Sequence, residues 1–275
     1  MRYEFRGSFP ASECRRCAMR FLSVRPAPAA MASLYSGPYF ESDFRCGRSA
    51  SGYFAEAAFR DENRALLDAF ASLGPPGALL EIGCAGGWLL KHAAERGWRA
   101  KGVELSQDAV AHARGLGLDV FQGEIEEAAL AGDTFDLVYM GDVLEHVPDC
   151  RRTLAEAARV LKRGGHLYLR GPTTTNSLAR RAGLAIYGLL GRDIVLREPP
   201  YHVWEFTPGP LVRLVRSLGM DPVRVRQSKI APGRTHGRKS IPQRAAMFAL
   251  DSLNLPLTAA FNVLGDRIVL VARKG

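Results

Sequence analysis

Residues 79–87 read Leu79-Leu80-Glu81-Ile82-Gly83-Cys84-Ala85-Gly86-Gly87. A short apolar run meets a glycine-rich turn, and the turn opens a helical stretch at 88–95. Glu104, within Val103-Glu104-Leu105-Ser106, ends the next strand. Small residues at such a turn let the backbone approach a ligand, and an acid ending the second strand accepts hydrogen bonds from a ribose diol. Together they describe a nucleoside site. A dinucleotide fingerprint, Gly-x-Gly-x-x-Gly, would place glycine at position 88, where this chain has Trp88. An acid comes first instead, as Glu81-x-Gly83-x-Ala85-x-Gly87, which argues against a nicotinamide oxidoreductase.

Outward from this stretch, strands and helices alternate. The spacing predicts strands near 78–83, 99–104, 118–122, 135–140 and 165–171, with helices near 88–95, 107–115, 124–130 and 149–162. Apolar periodicity predicts a preceding helix over 52–73, stopped by Gly74-Pro75-Pro76-Gly77. Such alternation means a parallel sheet covered on both faces. Beyond Pro172 follow a helical insertion at 176–190, a helix at 208–218 and strands at 221–230 and 266–273. Residues 1–50, rich in proline, read as an irregular arm. The chain is expected to divide into that arm (1–50) and a main α/β domain (51–275).

Four ordered motifs carry a family resemblance. Glu81 to Gly87 resembles the first motif of class I S-adenosylmethionine-dependent methyltransferases. Phe135-Asp136-Leu137-Val138-Tyr139-Met140-Gly141-Asp142-Val143-Leu144-Glu145-His146-Val147 resembles the fourth-strand motif of the small-molecule group that includes ubiquinone biosynthesis O-methyltransferases. Leu161-Lys162-Arg163-Gly164-Gly165 resembles the turn into strand five. Pro199-Pro200-Tyr201-His202-Val203-Trp204-Glu205-Phe206-Thr207 resembles a segment of bacterial members. The resemblance implies a Rossmann-like α/β fold with a seven-stranded, mostly parallel sheet, an irregular N-terminal arm and helical insertions. It also implies S-adenosylmethionine as cofactor. Gly83, Gly86 and Gly87 would then turn around the methionine end and Glu81 would reach the ammonium. Glu104, with Leu105 beside it, would hold the ribose, Glu124 and Ile125 would edge the adenine, and Met140 with Gly141 would line the other wall. Ala85 departs from the usual glycine, a departure without cost unless its φ is positive.

On the acceptor side, Asp142, Glu145 and His146 have the i, i+3, i+4 spacing that shares one face of a helical turn, and His202 lies in a later segment expected to fold over the same edge. The favoured roles are His146 as general base, His202 placing the acceptor and Glu145 supporting the base, with no resident metal. The same residues also resemble the metal ligands of some RNA 2′-hydroxyl methyltransferases, which keeps a metal-dependent RNA methyltransferase as the alternative reading, beside a non-catalytic S-adenosylmethionine-binding module. Cys14-x-x-Cys17 resembles half of a zinc ribbon. Two thiolates do not complete a tetrahedral site, so a degenerate ribbon without zinc is expected, and Tyr35, Tyr39 and Phe40 are candidates for an aromatic lid.

Charge separates along the chain. Residues 78–150 carry 5 basic and 13 acidic side chains, and residues 151–275 carry 22 and 7. An acidic first half suits a cationic sulfonium, and a basic second half suits an acidic acceptor or an anionic surface. Between 222 and 250, Arg224, Arg226, Lys229, Arg234, Arg238, Lys239 and Arg244 stand with no acid. Aromatic residues do not interleave with these charges, which argues against nucleic acid and leaves a small-molecule, glycan or lipid-linked acceptor, with peripheral membrane contact as a further option. Five cysteines without an export signal argue against a disulfide framework. A cytoplasmic O-methyltransferase is the expectation.

Overall fold

The computed structural model describes residues 2–5, 7–23, 56–191, 202–230 and 241–275. Tyr35, Tyr39, Phe40 and Cys46 lie outside them, so the aromatic lid does too. Eleven strands and seven α-helices are formed among the described residues. The strands are β1 (Arg2–Phe5), β2 (Gly7–Glu13), β3 (Arg20–Leu22), β4 (Ala78–Ile82), β5 (Arg99–Glu104), β6 (Asp119–Gln122), β7 (Phe135–Gly141), β8 (Leu161–Pro172), β9 (Trp204–Glu205), β10 (Met220–Ser228) and β11 (Arg267–Lys274). The helices are α1 (Arg60–Ala71), α2 (Trp88–Glu95), α3 (Gln107–Gly115), α4 (Cys150–Val160), α5 (Leu178–Leu189), α6 (Pro208–Arg216) and α7 (Ile241–Phe261).

Seven strands form one sheet in the order β10-β11-β8-β7-β4-β5-β6. The five strands from β8 to β6 pair in parallel, whereas β11 and β10 add on antiparallel. This is the expected mostly parallel sheet. β4 is buried at all five positions, as a central strand covered on both faces must be. Chain order reverses between β4 and β7, so a crevice opens beyond their carboxyl ends. Helix starts are set by local chemistry. Ser106 accepts from the Ala109 amide at the head of α3, and Asp149 accepts from the Arg151 and Arg152 amides at the head of α4. One face of α4, through Leu154, Ala157 and Val160, is fully buried against the sheet.

Three expectations change. The arm is not irregular throughout: β1, β2, β3 and the distant β9 form a four-stranded antiparallel sheet, with Phe21 opposite Trp204 and Arg20 opposite Glu205. The helix expected over 124–130 shrinks to one 3-10 turn, Ile125–Glu127, capped reciprocally by Glu124 and Glu127. Finally, 241–261, over which the sequence pattern places no element, forms a 21-residue helix.

Candidate active site

The β4–α2 turn is shaped by backbone that few residues adopt. Gly83 and Gly87 have φ of 74° and 85°, and a Cβ on Gly83 would stand 2.3 Å from Val143 Cγ2. Ala85 also has a positive φ, 48°, so its departure from glycine carries backbone strain of roughly 1 kcal/mol. Two anchors offset it. Glu104 Oε2 accepts from the Ala85 amide at 2.9 Å, and His112 Nδ1, on α3, donates to the Gly86 carbonyl at 2.8 Å. Sequence reading missed His112, because only packing of α3 beside the turn brings it there.

Beyond the turn lies a cavity of about 250 Å³. Glu81, Gly83, Gly86, Gly87, Glu104, Leu105, Glu124, Ile125, Gly141 and His146 all line it, joined by Trp88, Tyr139, Asp142 and, from α1, Asn63 and Leu66. Met140 does not. Alternation along β7 sends Tyr139 and Gly141 toward the cavity and Met140 into the opposite core layer, where it is 1% exposed. Gly141 is required there, since an added Cβ would fall on the Tyr139 hydroxyl.

The acids fit a cationic nucleoside. Glu81 is buried and its Oε2 has no partner. Burial, with Glu104 nearby, pushes its carboxyl up to about 8. An ammonium group would supply the missing partner. Each oxygen of Glu104 accepts one backbone amide, from Ala85 and from Ser106, both at 2.9 Å. A carboxylate offers about four lone-pair sites, so acceptor capacity remains for a diol. Burial raises the Glu104 carboxyl too, while those amides pull it back. Trp88 Nε1 is a further buried group without a partner on the cavity wall.

Beside the cavity, residues 142–148 form an irregular turn rather than a helix, so the expected shared face divides. Asp142, at φ 56°, is gripped by Arg267, whose Nη2 lies 2.7 and 2.8 Å from its two oxygens. Glu145 turns behind the wall and is 2% exposed, with Oε1 lacking a hydrogen bond. His146 Nε2 stands 3.8 Å from Glu145 Oε1, and His202 meets His146 edge-on at 4.9 Å between ring centroids. His202 Nδ1 lies 3.7 Å from Glu205. Burial alone would lower the His202 imidazole, but Glu205, Glu145 and Asp142 outweigh it and hold it above its ordinary value. The Glu145 carboxyl is raised, chiefly by burial. Glu145, His146 and His202 thus gather their ligand-type atoms within 4.8 Å of one another. Asp142 belongs to Arg267 rather than to that group.

Long-range contacts bring His202 to this place. The Glu145 carbonyl accepts from the Val203 and Trp204 amides, Trp204 Nε1 donates to the Val147 carbonyl, and the Leu22 amide donates to Val203. The arm strand β3 therefore holds the 202–206 segment against the turn that carries His146. Cys14 and Cys17 sit at the far tip of the β2–β3 hairpin, and no metal-binding group that includes them is found among the described residues. Lys229, grouped with the basic stretch in the sequence, is instead buried between Asp251 and Asp266 at 3.2 and 2.5 Å.

The profile of a methyltransferase domain family matches residues 54–225, more than half of the chain. The chain belongs to that methyltransferase family. Its cofactor is S-adenosylmethionine. The methyltransferase is 28% identical over 165 residues to a ubiquinone biosynthesis O-methyltransferase of Ralstonia nicotianae, and 31% identical over 166 residues to one of Hahella chejuensis. Each alignment covers 56% of this chain and 67% of the relative. A third, of Methylococcus capsulatus, is covered over 62% of its length. The chain thus spans about two thirds or less of these curated relatives. Among solved structures, an S-adenosylmethionine-dependent methyltransferase of Archaeoglobus fulgidus superposes with a TM-score of 0.55 at 17% identity, over 78% of this chain and 94% of that one. That likeness bears on the fold alone.

Proposed function

We propose that this methyltransferase carries the methyl group of S-adenosylmethionine to a hydroxyl of a small-molecule acceptor, with His146 as general base. The observation that carries the proposal is the pair of imidazoles at the cavity edge, His146 on the wall and His202 at 4.9 Å, braced by Glu145 and Glu205. O-methyl transfer is also the activity printed for the relatives from ubiquinone biosynthesis.

The cofactor supplies an electrophilic methyl on a good leaving group, so the protein's work is alignment and proton removal. Glu81 would hold the ammonium, Glu104 the ribose hydroxyls, and Glu124, Leu105 and Ile125 the adenine side. An acceptor oxygen forms the new C–O bond as the C–S bond breaks, the electron pair passing to sulfur and the acceptor proton to His146. Glu145 would stabilise the imidazolium, and His202 would orient the acceptor oxygen. The chain would divide into an arm, 1–50, and a catalytic domain, 51–275, a reading supported by the family match beginning at 54, with β3 of the arm bracing the acceptor segment through β9. We place the protein in the cytoplasm.

The RNA-directed reading is weakened at two of its residues, since Asp142 is engaged by Arg267 and Lys229 is buried. The test is turnover on matched acceptor panels: aryl hydroxyls, alkyl hydroxyls, the corresponding amines and RNA. Methylation of a hydroxyl compound, lost in His146→Ala, supports the proposal. Methylation of amines alone, or of RNA alone, overturns it.

A further inference from the structure

Helix α7 is built inside out. Along 251–263 only Asp251, Asn254 and Thr258 are buried, and all three are polar. Each is drawn inward by bonding. Asp251 pairs with Lys229 at 3.2 Å. Asn254 accepts from the Leu178 amide at 3.0 Å and donates to the Leu264 carbonyl at 2.9 Å, and Thr258 donates to the Asn254 carbonyl at 3.0 Å. The outward positions hold Phe248, Leu253, Leu255, Leu257 and Phe261, of which Phe248, Leu253 and Phe261 are 57%, 62% and 68% exposed. A surface helix in water does the reverse, turning its apolar stripe to the core. The neighbouring α5 likewise exposes Ile186, Leu189 and Leu190.

Among the described residues, the exposed charges of α5 and α7 have one sign. No exposed charge occurs on α7 from 245 onward, Asp251 being buried. Arg180 and Arg181 are exposed at the start of α5, and Arg234, Arg238, Lys239 and Arg244 precede or begin the apolar run, with no acid from 222 to 250. An apolar face with the exposed Arg180 and Arg181 beside it complements anionic headgroups above an acyl interior. A second copy of the same face would bring like charges together. No helix among the described residues is long and apolar enough to cross a membrane, so α7 would lie along a surface. Its place is also informative. α5 follows the carboxyl end of β8, and α7 leads into β11 at Arg267, the residue that grips Asp142 on the cavity wall.

We propose that the α5–α7 unit seats this protein on an anionic lipid surface, with α7 in the headgroup plane, at the sheet edge that carries the cofactor cavity. The inference goes beyond the acceptor chemistry, and its readout needs no turnover. The experiment is co-sedimentation of the full chain with vesicles of phosphatidylglycerol and phosphatidylcholine in equal parts, against phosphatidylcholine alone, at low and high salt. Binding is expected to the mixed vesicles and to weaken without the anionic lipid or in salt. The double variant L253E/F261E is expected to lower partitioning by roughly tenfold or more, with melting and S-adenosylhomocysteine affinity unchanged. Absence of binding by the wild type, or equal binding by L253E/F261E, overturns the proposal. A wild-type dimer in sedimentation velocity that L253E/F261E dissolves, without vesicle binding, assigns the face to a second copy and overturns it as well.

Discussion

Glu81→Gln separates stability from affinity in a way that tests the reading of the cofactor site. In the folded chain burial holds the Glu81 carboxyl near 8 against an ordinary 4.5. Below pH 4.5 the group is protonated whether folded or unfolded, and it contributes no difference. As pH rises from 4.5 the unfolded chain releases the proton while the folded chain keeps it, so stability falls until about pH 8 and then levels. At about 1.4 kcal/mol per tenfold change in proton activity, the loss is about 3 kcal/mol by pH 7 and at most about 5 kcal/mol by pH 8. Glutamine has no proton to hold, so Glu81→Gln is expected to gain on the wild type by about 3 kcal/mol between pH 4.5 and pH 7 in urea unfolding without cofactor.

Affinity should move the other way. With the carboxyl near 8, about one wild-type molecule in ten presents a carboxylate at pH 7, and the cationic ligand must draw the rest into that state. Wild-type affinity for S-adenosylmethionine should therefore improve up to roughly tenfold from pH 6 to pH 7, below the ~7.7–8 range where the ligand's own amine titrates. Glu81→Gln should bind more weakly, by on the order of 1.5–3 kcal/mol before the ionisation cost is subtracted, and without that slope. Calorimetry at the two pH values reads both quantities. Parallel stability curves for the two proteins, together with a pH-independent wild-type affinity, would refute the assignment of Glu81 to the ammonium.

Further expectations follow from the same geometry. Glu104→Ala should lose on the order of 1.5–3 kcal/mol of S-adenosylhomocysteine affinity, and equal affinity by calorimetry would remove Glu104 from the ribose site. Ala85→Gly relieves a φ of 48° and should raise stability by up to about 1 kcal/mol without weakening cofactor binding; a lower melting temperature would show that the alanine methyl packs usefully. His146→Ala should lower turnover by about 10²–10⁴-fold at nearly unchanged cofactor affinity, while His202→Ala should also raise the acceptor KM. Activity abolished by EDTA and restored by Mg²⁺ or Mn²⁺ would instead make Glu145, His146 and His202 metal ligands.

What the chain's sequence determined by itself is local. Glu81 to Gly87 and the strand–helix alternation around it specify the parallel sheet and the nucleoside crevice, because a buried central strand, a left-handed glycine turn and a strand-end acid each leave a mark within a few residues. Most of the expected cofactor residues line the cavity for that reason, and Met140 fails on the same local ground, since the two-residue period of a strand sends it to the other face. What only the tertiary structure decided depends on partners far apart in the chain. Asp142 is claimed by Arg267 from 125 positions away, His202 is delivered by pairing of β9 with β3, and His112 reaches the glycine turn through packing of α3. The arm and α7 were hidden for a related reason. The three-residue β3 pairs with its hairpin neighbour β2 on one side and with the distant β9 on the other, and α7 reverses the usual pattern by burying Asp251, Asn254 and Thr258. Periodicity reads which residues are apolar; only the fold says which side of a helix the protein keeps for itself.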